Sequence, residues 1–250
     1  MHHLVAYYQS VDPGGVLTQI NAVPDQAIRT NGVDVVIPTD LANLVMEACA
    51  FNGNTPLYGQ VQSPSLRQLA NQDVSPIISG SVFGGDPPCQ AHFGSPRKLK
   101  GNESMNFAID ATGGVAGAAY GLAILSDGPM QAQQGNMFSM RATGAAALSA
   151  GAWVNSPLTF DDTLPAGTYN IMGMRAKGAN LVAARLVLVG QGYRPGVLAV
   201  NTDGQRDWKY GRFGAIGSFG VFDVNQPPTV DCLGATDTAQ EFVLDLVKVS

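Results

Sequence analysis

Thirty glycines and fifteen prolines punctuate the 250 residues of this chain, and that punctuation constrains the fold more than any other feature. Both residues break helices and shape turns, so the apolar runs between them are held to strand length. Three runs read most clearly. Thr168 to Arg175, Leu181 to Val189 and Glu241 to Val249 are apolar and bounded by Gly, Asn or Thr. In the last of them Phe242, Leu244 and Leu246 alternate onto one face and Asp245 falls on the other. Turn-rich connections lie between, at 190–192, 194–196, 201–204 and 211–220. Short strands at this spacing predict an all-β sandwich or barrel.

The N-terminal part is more mixed. Val33 to Ile37 reads as a strand. Asp40 to Ala50 stays open between a strand and a helix capped by Asp40, and Ser63-Pro64-Ser65 opens one helical turn. The segment Ala111 to Ala119 is all small residues and glycine, has no period, and reads as a connection between two halves.

Landmarks on either side of that connection recur in order. Pro38 and Pro165, Asn43 and Asn170, and Arg67 and Arg194 share a single offset of 127. Around them, Arg29 matches Arg141, Val82-Phe83 matches Val221-Phe222, Pro87-Pro88 matches Pro227-Pro228, and Phe107 to Asp110 matches Phe242 to Asp245, at other offsets. The order predicts a duplicated β-sandwich, with domains at 1–113 and 114–250.

Charge narrows the function. Only 13% of residues are charged, about half of the roughly 25% usual for a soluble domain, and mean hydropathy is +0.07. A surface this poor in charge is expected to be covered by other copies of the chain. A membrane span does not explain it, because the uncharged stretch Ala111 to Ser126 is too short and glycine-rich. The N-terminus has no basic region followed by an apolar run, so no secretory signal is read there. Net charge is −5 and the first basic residue is Arg29, so no basic arm exists for direct, sequence-specific nucleic-acid binding. Arg97, Lys98 and Lys100 read as a solvated loop tip.

Two fused sandwiches, low charge, a small-residue linker and no catalytic groups together resemble the double jelly-roll major capsid proteins of tailless icosahedral viruses. The resemblance is one of architecture and texture across the whole chain, without a diagnostic motif. It implies two eight-stranded jelly rolls side by side, and three chains forming a pseudo-hexagonal capsomer in the virion shell. The chain's partners would then be copies of itself and other virion proteins, with synthesis in the host cytoplasm. The halves are short for that family, which points to a small bacteriophage.

Candidate chemical sites do not assemble in the sequence. Histidine is limited to His2, His3 and His92; the first two lie at a terminus expected to fray, and His92 stands alone near Cys89. No metal or cofactor set follows, and no catalytic residues are assigned. Cys49, Cys89 and Cys232 read as buried free thiols. Asp161-Asp162 would point to opposite faces, leaving a Ca²⁺ loop with Asp203 or Asp223 as the residual option. Gly211, Gly214, Gly217 and Gly220 lack the helix a phosphate cradle needs. Asn102-Glu103-Ser104 is a glycosylation sequon without a secretory route. The rival reading is a tandem β-sandwich that binds carbohydrate or a host receptor through Trp153, Trp208, Tyr193 and Tyr210.

Overall fold

In a computed structural model the described residues are 1–10, 15–52, 56–66, 72–74, 90–111, 118–131, 135–200 and 217–249. Among them the structure is all-β, with two β-sandwiches in succession. The first holds β1 (His2–Gln9), β2 (Thr18–Ala22), β3 (Thr30–Asn31), β4 (Asp34–Val36), β5 (Asn43–Asn52) and β6 (Pro56–Gln62). It continues with β7 (Gln72–Val74), β8 (Gln90–Ala91), β9 (Arg97–Lys98), β10 (Ser104–Ala111) and β11 (Ala118–Ser126). The second holds β12 (Phe138–Gly144), β13 (Val154–Pro157), β14 (Thr159–Phe160), β15 (Thr168–Lys177) and β16 (Leu181–Val187). It ends with β17 (Gly196–Val200), β18 (Gly220–Asp223), β19 (Thr229–Gly234) and β20 (Gln240–Lys248). No helix among the described residues is long and apolar enough to cross a membrane.

Both halves thread their strands in one order. In the second, β12-β20-β15-β18 form one sheet and β13-β19-β16-β17 the other. In the first, β1-β11-β5 continue into β8 and β9, while β2 and β4 lie along β10, followed by β6 and β7. Each half therefore reads first-eighth-third-sixth in one sheet and second-seventh-fourth-fifth in the other, which is the jelly-roll order. The long third strands also share an irregularity. Register slips by one residue at Val45 in β5 and at Met172 in β15, and 45 and 172 are again 127 apart. A bulge re-aims every side chain beyond it, so its recurrence at one offset aligns the two halves through their third strands.

Several sequence expectations hold and several move. Phe242, Leu244 and Leu246 sit together in the second core with Tyr169, Met174 and Phe222. Within Asp40 to Ala50 the chain resolves into strand from Asn43 onward, because β5 pairs along its length with β11. The connection read at 111–119 shifts. Ala118 to Ser126 is the eighth strand of the first jelly roll, so the chain changes sandwiches within 127–137, beyond the boundary drawn at 113/114. The last repeat landmark shifts with it: Phe107 lies in the seventh strand of its half and Phe242 in the eighth. Arg29 precedes β3 whereas Arg141 lies in the first strand of its half, so that pair is not equivalent either. Arg67, Val82-Phe83 and Pro87-Pro88 lie outside the described residues.

Between the halves runs a third apolar core. Leu4, Ala6, Val45, Met46, Ala48 and Ala50, with Tyr120, Leu122 and Ile124, present the outer face of the first half's β1-β11-β5 sheet. Val182, Ala183, Leu198 and Leu233 meet them from β16, β17 and β19. Tyr120 donates to the Gly234 carbonyl at 3.1 Å and the Leu4 amide to that of Arg194 at 3.1 Å. Gly151 approaches Tyr8 so closely, at φ +73°, that a Cβ there would lie 2.3 Å from the ring; only glycine fits both the backbone and the gap. Strands β1 and β11 are consequently buried on both faces.

Candidate functional site

At one edge of this seam the apolar contact gives way to charge. Arg185 projects from β16, a single arginine in the apolar run Leu181 to Val187. It is 1% exposed, and burial of a guanidinium demands paired anions. Its Nε donates to Asp231 Oδ2 at 3.1 Å, Asp231 lying beside it on β19. Its Nη1 reaches across the seam to Asp25 and donates to the Leu4 carbonyl at 3.1 Å. Arg194, in the turn after β16, also pairs with Asp231 and donates to Gln26 Oε1 at 2.7 Å. Asp25 Oδ1 meanwhile accepts from the Ala27 amide at 2.7 Å, closing a tight turn.

His3 completes the cluster. Its Nδ1 accepts from the Arg194 amide at 2.9 Å, so the proton sits on Nε2, which lies 2.9 Å from Asp25 Oδ2. Burial draws the imidazole below its ordinary pKa, against the pull of Asp25. For Asp25, burial alone would raise the carboxyl, but the His3 hydrogen bond and the Arg185 charge hold it well below the usual carboxylate range. Two cations thus face two anions around a neutral imidazole. With both ring nitrogens engaged, His3 has no free position for proton transfer to a substrate.

The cluster floors a cleft of about 330 Å³ lined by Pro24, Gln26, Trp153, Asn155, Arg194 and Asp231. The Arg185 guanidinium stacks 4.0 Å from the centroid of the Trp153 ring. Asn155 donates to Asp231 Oδ1 and to Thr229 Oγ1, each at 2.9 Å. Chemically, the cleft offers an indole, an amide and a neutralised charge pair.

The other sequence candidates scatter. His2 and His3 do not fray: both are buried in β1. His2 packs edge-on to Phe219 with ring centroids 5.0 Å apart, and burial, with the charges of the N-terminus and His3, pushes its pKa down to about 3. Arg97 and Lys98 are not a loose tip but a strand on the edge of β5. Arg97 pairs at 2.6 Å with Glu47, which is fully buried, and Lys98 donates to Asn43 Oδ1 at 2.7 Å. Burial raises Glu47 to about 7 despite Arg97. His92 joins this pair, 2.6 Å from Arg97 Nη2.

Asp161 and Asp162 are exposed, and Asp161 pairs with Arg141 at 3.2 Å. Asp223 caps its own turn through the Asn225 amide at 2.9 Å. Among the described residues no three His, Cys, Asp or Glu converge as metal ligands would. Cys49 and Cys232 are buried thiols whose pKa values burial raises, Cys232 to about 12. Tyr193 bridges the halves by donating to Asp40 Oδ1 at 2.6 Å. Cys89, Asp203, Trp208, Tyr210, Gly211 and Gly214 lie outside the described residues.

Sequence reasoning singled out Trp153, Tyr193 and Arg194 but not Asp25, Arg185 or Asp231. The lone arginine inside an apolar strand was the available signal. No protein-family model, curated protein or solved structure matches this chain.

Proposed function

We propose that this chain is a structural virion protein, a major capsid subunit that assembles as pseudo-hexameric trimers into an icosahedral shell. The observation that carries the reading is the seam. Two jelly rolls of one strand order are joined through unlike faces, the β1-β11-β5 sheet of the first against the β16-β17-β19 side of the second. A contact between unlike faces is open-ended, and each added unit offers the next the same pair of faces. Three chains would set six similar sandwiches around one axis, filling a hexagonal tile while keeping three-fold symmetry. The low charge of the chain suits a surface largely spent on such contacts. Electron microscopy of the purified full-length protein tests this, with six-lobed rings or closed shells as the expected result. Particles that stay single and two-lobed, with a monomer mass in light scattering at micromolar concentration, would remove the reading.

One observation favours a second reading, that of a carbohydrate-binding or host-receptor-binding protein. The seam cleft brings Trp153, Asn155 and Asp231 together, the side chains a sugar site uses. Saturable binding on a glycan array, abolished by Trp153→Ala in a folded protein, would put this reading first.

A further inference from the structure

The shared register of the two halves allows the seam to be mapped onto the surface. In the first half Met46, Ala48 and Ala50 lie beside Ile124, Leu122 and Tyr120. At the same places in the second half Gly173, Arg175 and Lys177 lie beside Asp245, Val243 and Glu241. Along the neighbouring first strands, Leu4 and Ala6 are matched by Ser139 and Arg141. The second half thus carries outward the same sheet face that the first half buries in the seam. That face is mixed rather than purely polar. Val221 is 44% exposed on it, Val243 and Val247 are half-buried beside it, and Arg141, Arg175 and Lys177 rim them. Aliphatic side chains among arginines are the composition of a protein interface.

The opposite face can be mapped in the same way. Asp231 lies beside Arg185 in the seam, and the matching pair in the first half is Asp110 beside Tyr58. Asp231 is neutralised by two arginines. Among the described residues Asp110 Oδ1, shut away from solvent, has no hydrogen-bond partner, a costly state that a cation arriving from outside would relieve. Further along the same outer side β2 and β10 show Gln19, Asn21, Ser104 and Asn106, groups that both donate to and accept from charged partners.

We propose that two copies of this chain join through these faces, the β12-β20-β15-β18 sheet of one on the β2-β10 side of the next. Like the seam, the contact sets this sheet face against an opposite sheet, here through the second and seventh strands instead of the fourth, fifth and seventh, and it rests on the self-assembly reading above. It differs from the seam in chemistry. The ion pairs at hand, Arg141 with Glu241 at 3.6 Å and Lys177 with Glu241 at 3.7 Å, are exposed and weakly held, so they re-pair readily across an interface. The junction between chains is therefore polar and salt-sensitive, where the junction within the chain is apolar and permanent.

Light scattering of the full-length protein at low and high salt, with two single-face variants, provides the test. Val221→Arg blocks one face and Gln19→Arg the other; both sites are exposed, and an unchanged thermal midpoint confirms folding. The wild type is expected to be oligomeric at low salt and to shift toward monomer at high salt. Each variant alone is expected to be monomeric, and an equimolar mixture of the two is expected to stop at dimers, because one intact pair of unlike faces remains. Should either variant fail to fold, Val221→Asp or Asn21→Arg replaces it. Oligomers that survive both variants, or a mixture that stays monomeric, would overturn the assignment of faces while leaving self-assembly standing. A wild type that remains monomeric at every salt concentration would overturn both.

Discussion

The same sheet face occurs twice in this molecule with opposite chemistry. In the first half it is Leu4, Ala6, Ala48, Leu122 and Ile124, sealed against a neighbour that is always present. In the second half the matching places hold Ser139, Arg141, Arg175, Val243 and Asp245, tied by Arg175 to Asp245 at 3.1 Å and Ser139 to Asp245 at 2.5 Å. One fold tolerates either, because the inward face of each sheet supplies the core and the outward face answers only to its surroundings. The outward residues therefore report what each half meets: a covalently guaranteed partner for one, solvent or a separable partner for the other.

The largest effect expected from breaking this contrast is at Arg185. Arg185→Ala leaves Asp25 and Asp231 buried with their pairing reduced, and is expected to destabilise the chain by about 3–5 kcal/mol in denaturant unfolding. Arg141→Ala, which removes only exposed pairs, should change stability by about 0.5 kcal/mol or less. A loss at Arg185 no larger than that at Arg141 would mean that the buried cluster does not hold the halves together.

Next come the matched apolar positions. Leu122→Ala should cost about 2–5 kcal/mol, and Val243→Ala at the equivalent place about 1 kcal/mol or less. Equal losses would show that both faces are covered in the isolated chain.

Acid should act on the seam through the histidines. His2 and His3 are held neutral, with folded pKa values below that of the unfolded chain. The unfolded state then binds more protons, so their contribution is complete above about pH 6.5 and falls as the pH drops, for His2 down to about 3. Each histidine can remove up to about 1.4 kcal/mol per pH unit over its window. Glu47 works in reverse: its folded value of about 7 lies above the ordinary 4.5, so its contribution is lost as the pH rises between those values. Thermal melts from pH 3 to 8 should show acid destabilisation, flattened in His2→Phe, and Glu47→Gln should gain relative stability toward pH 7. Parallel curves for all three proteins would contradict these assignments.

Among the seam contacts the smallest effect belongs to Tyr193→Phe. Losing its half-exposed bond to Asp40 across the seam should cost about 1 kcal/mol, measurable as a small drop in the unfolding midpoint.

What the sequence disclosed depended on how each strand is buried. Strand β20 was legible because Phe242, Leu244 and Leu246 alternate with residues facing outward. Strand β11 was not: with core on one side and seam on the other, Ala118 to Leu125 has no polar alternation, and its small residues resemble a linker. The helix-or-strand ambiguity at Asp40 to Ala50 has the same cause. The offset of 127 survived because the stretch from Pro38 through β5 matches that from Pro165 through β15 without insertion. Phe107 and Phe242 share a local motif but lie one strand out of step. The seam cluster escaped because its members, such as Arg185 and Asp25, lie 160 residues apart, and nothing in local spacing joins them.

In each half the first strand pairs with the last, β1 with β11 and β12 with β20. A nascent chain leaving the ribosome can therefore close its first jelly roll only once residue 126 has emerged. From then until β16, β17 and β19 follow, the face bearing Leu4, Leu122 and Ile124 stands bare. Throughout that interval of synthesis a neighbouring polysome offers the same sticky surface, so crowded translation and misassembly compete directly with the second half's arrival.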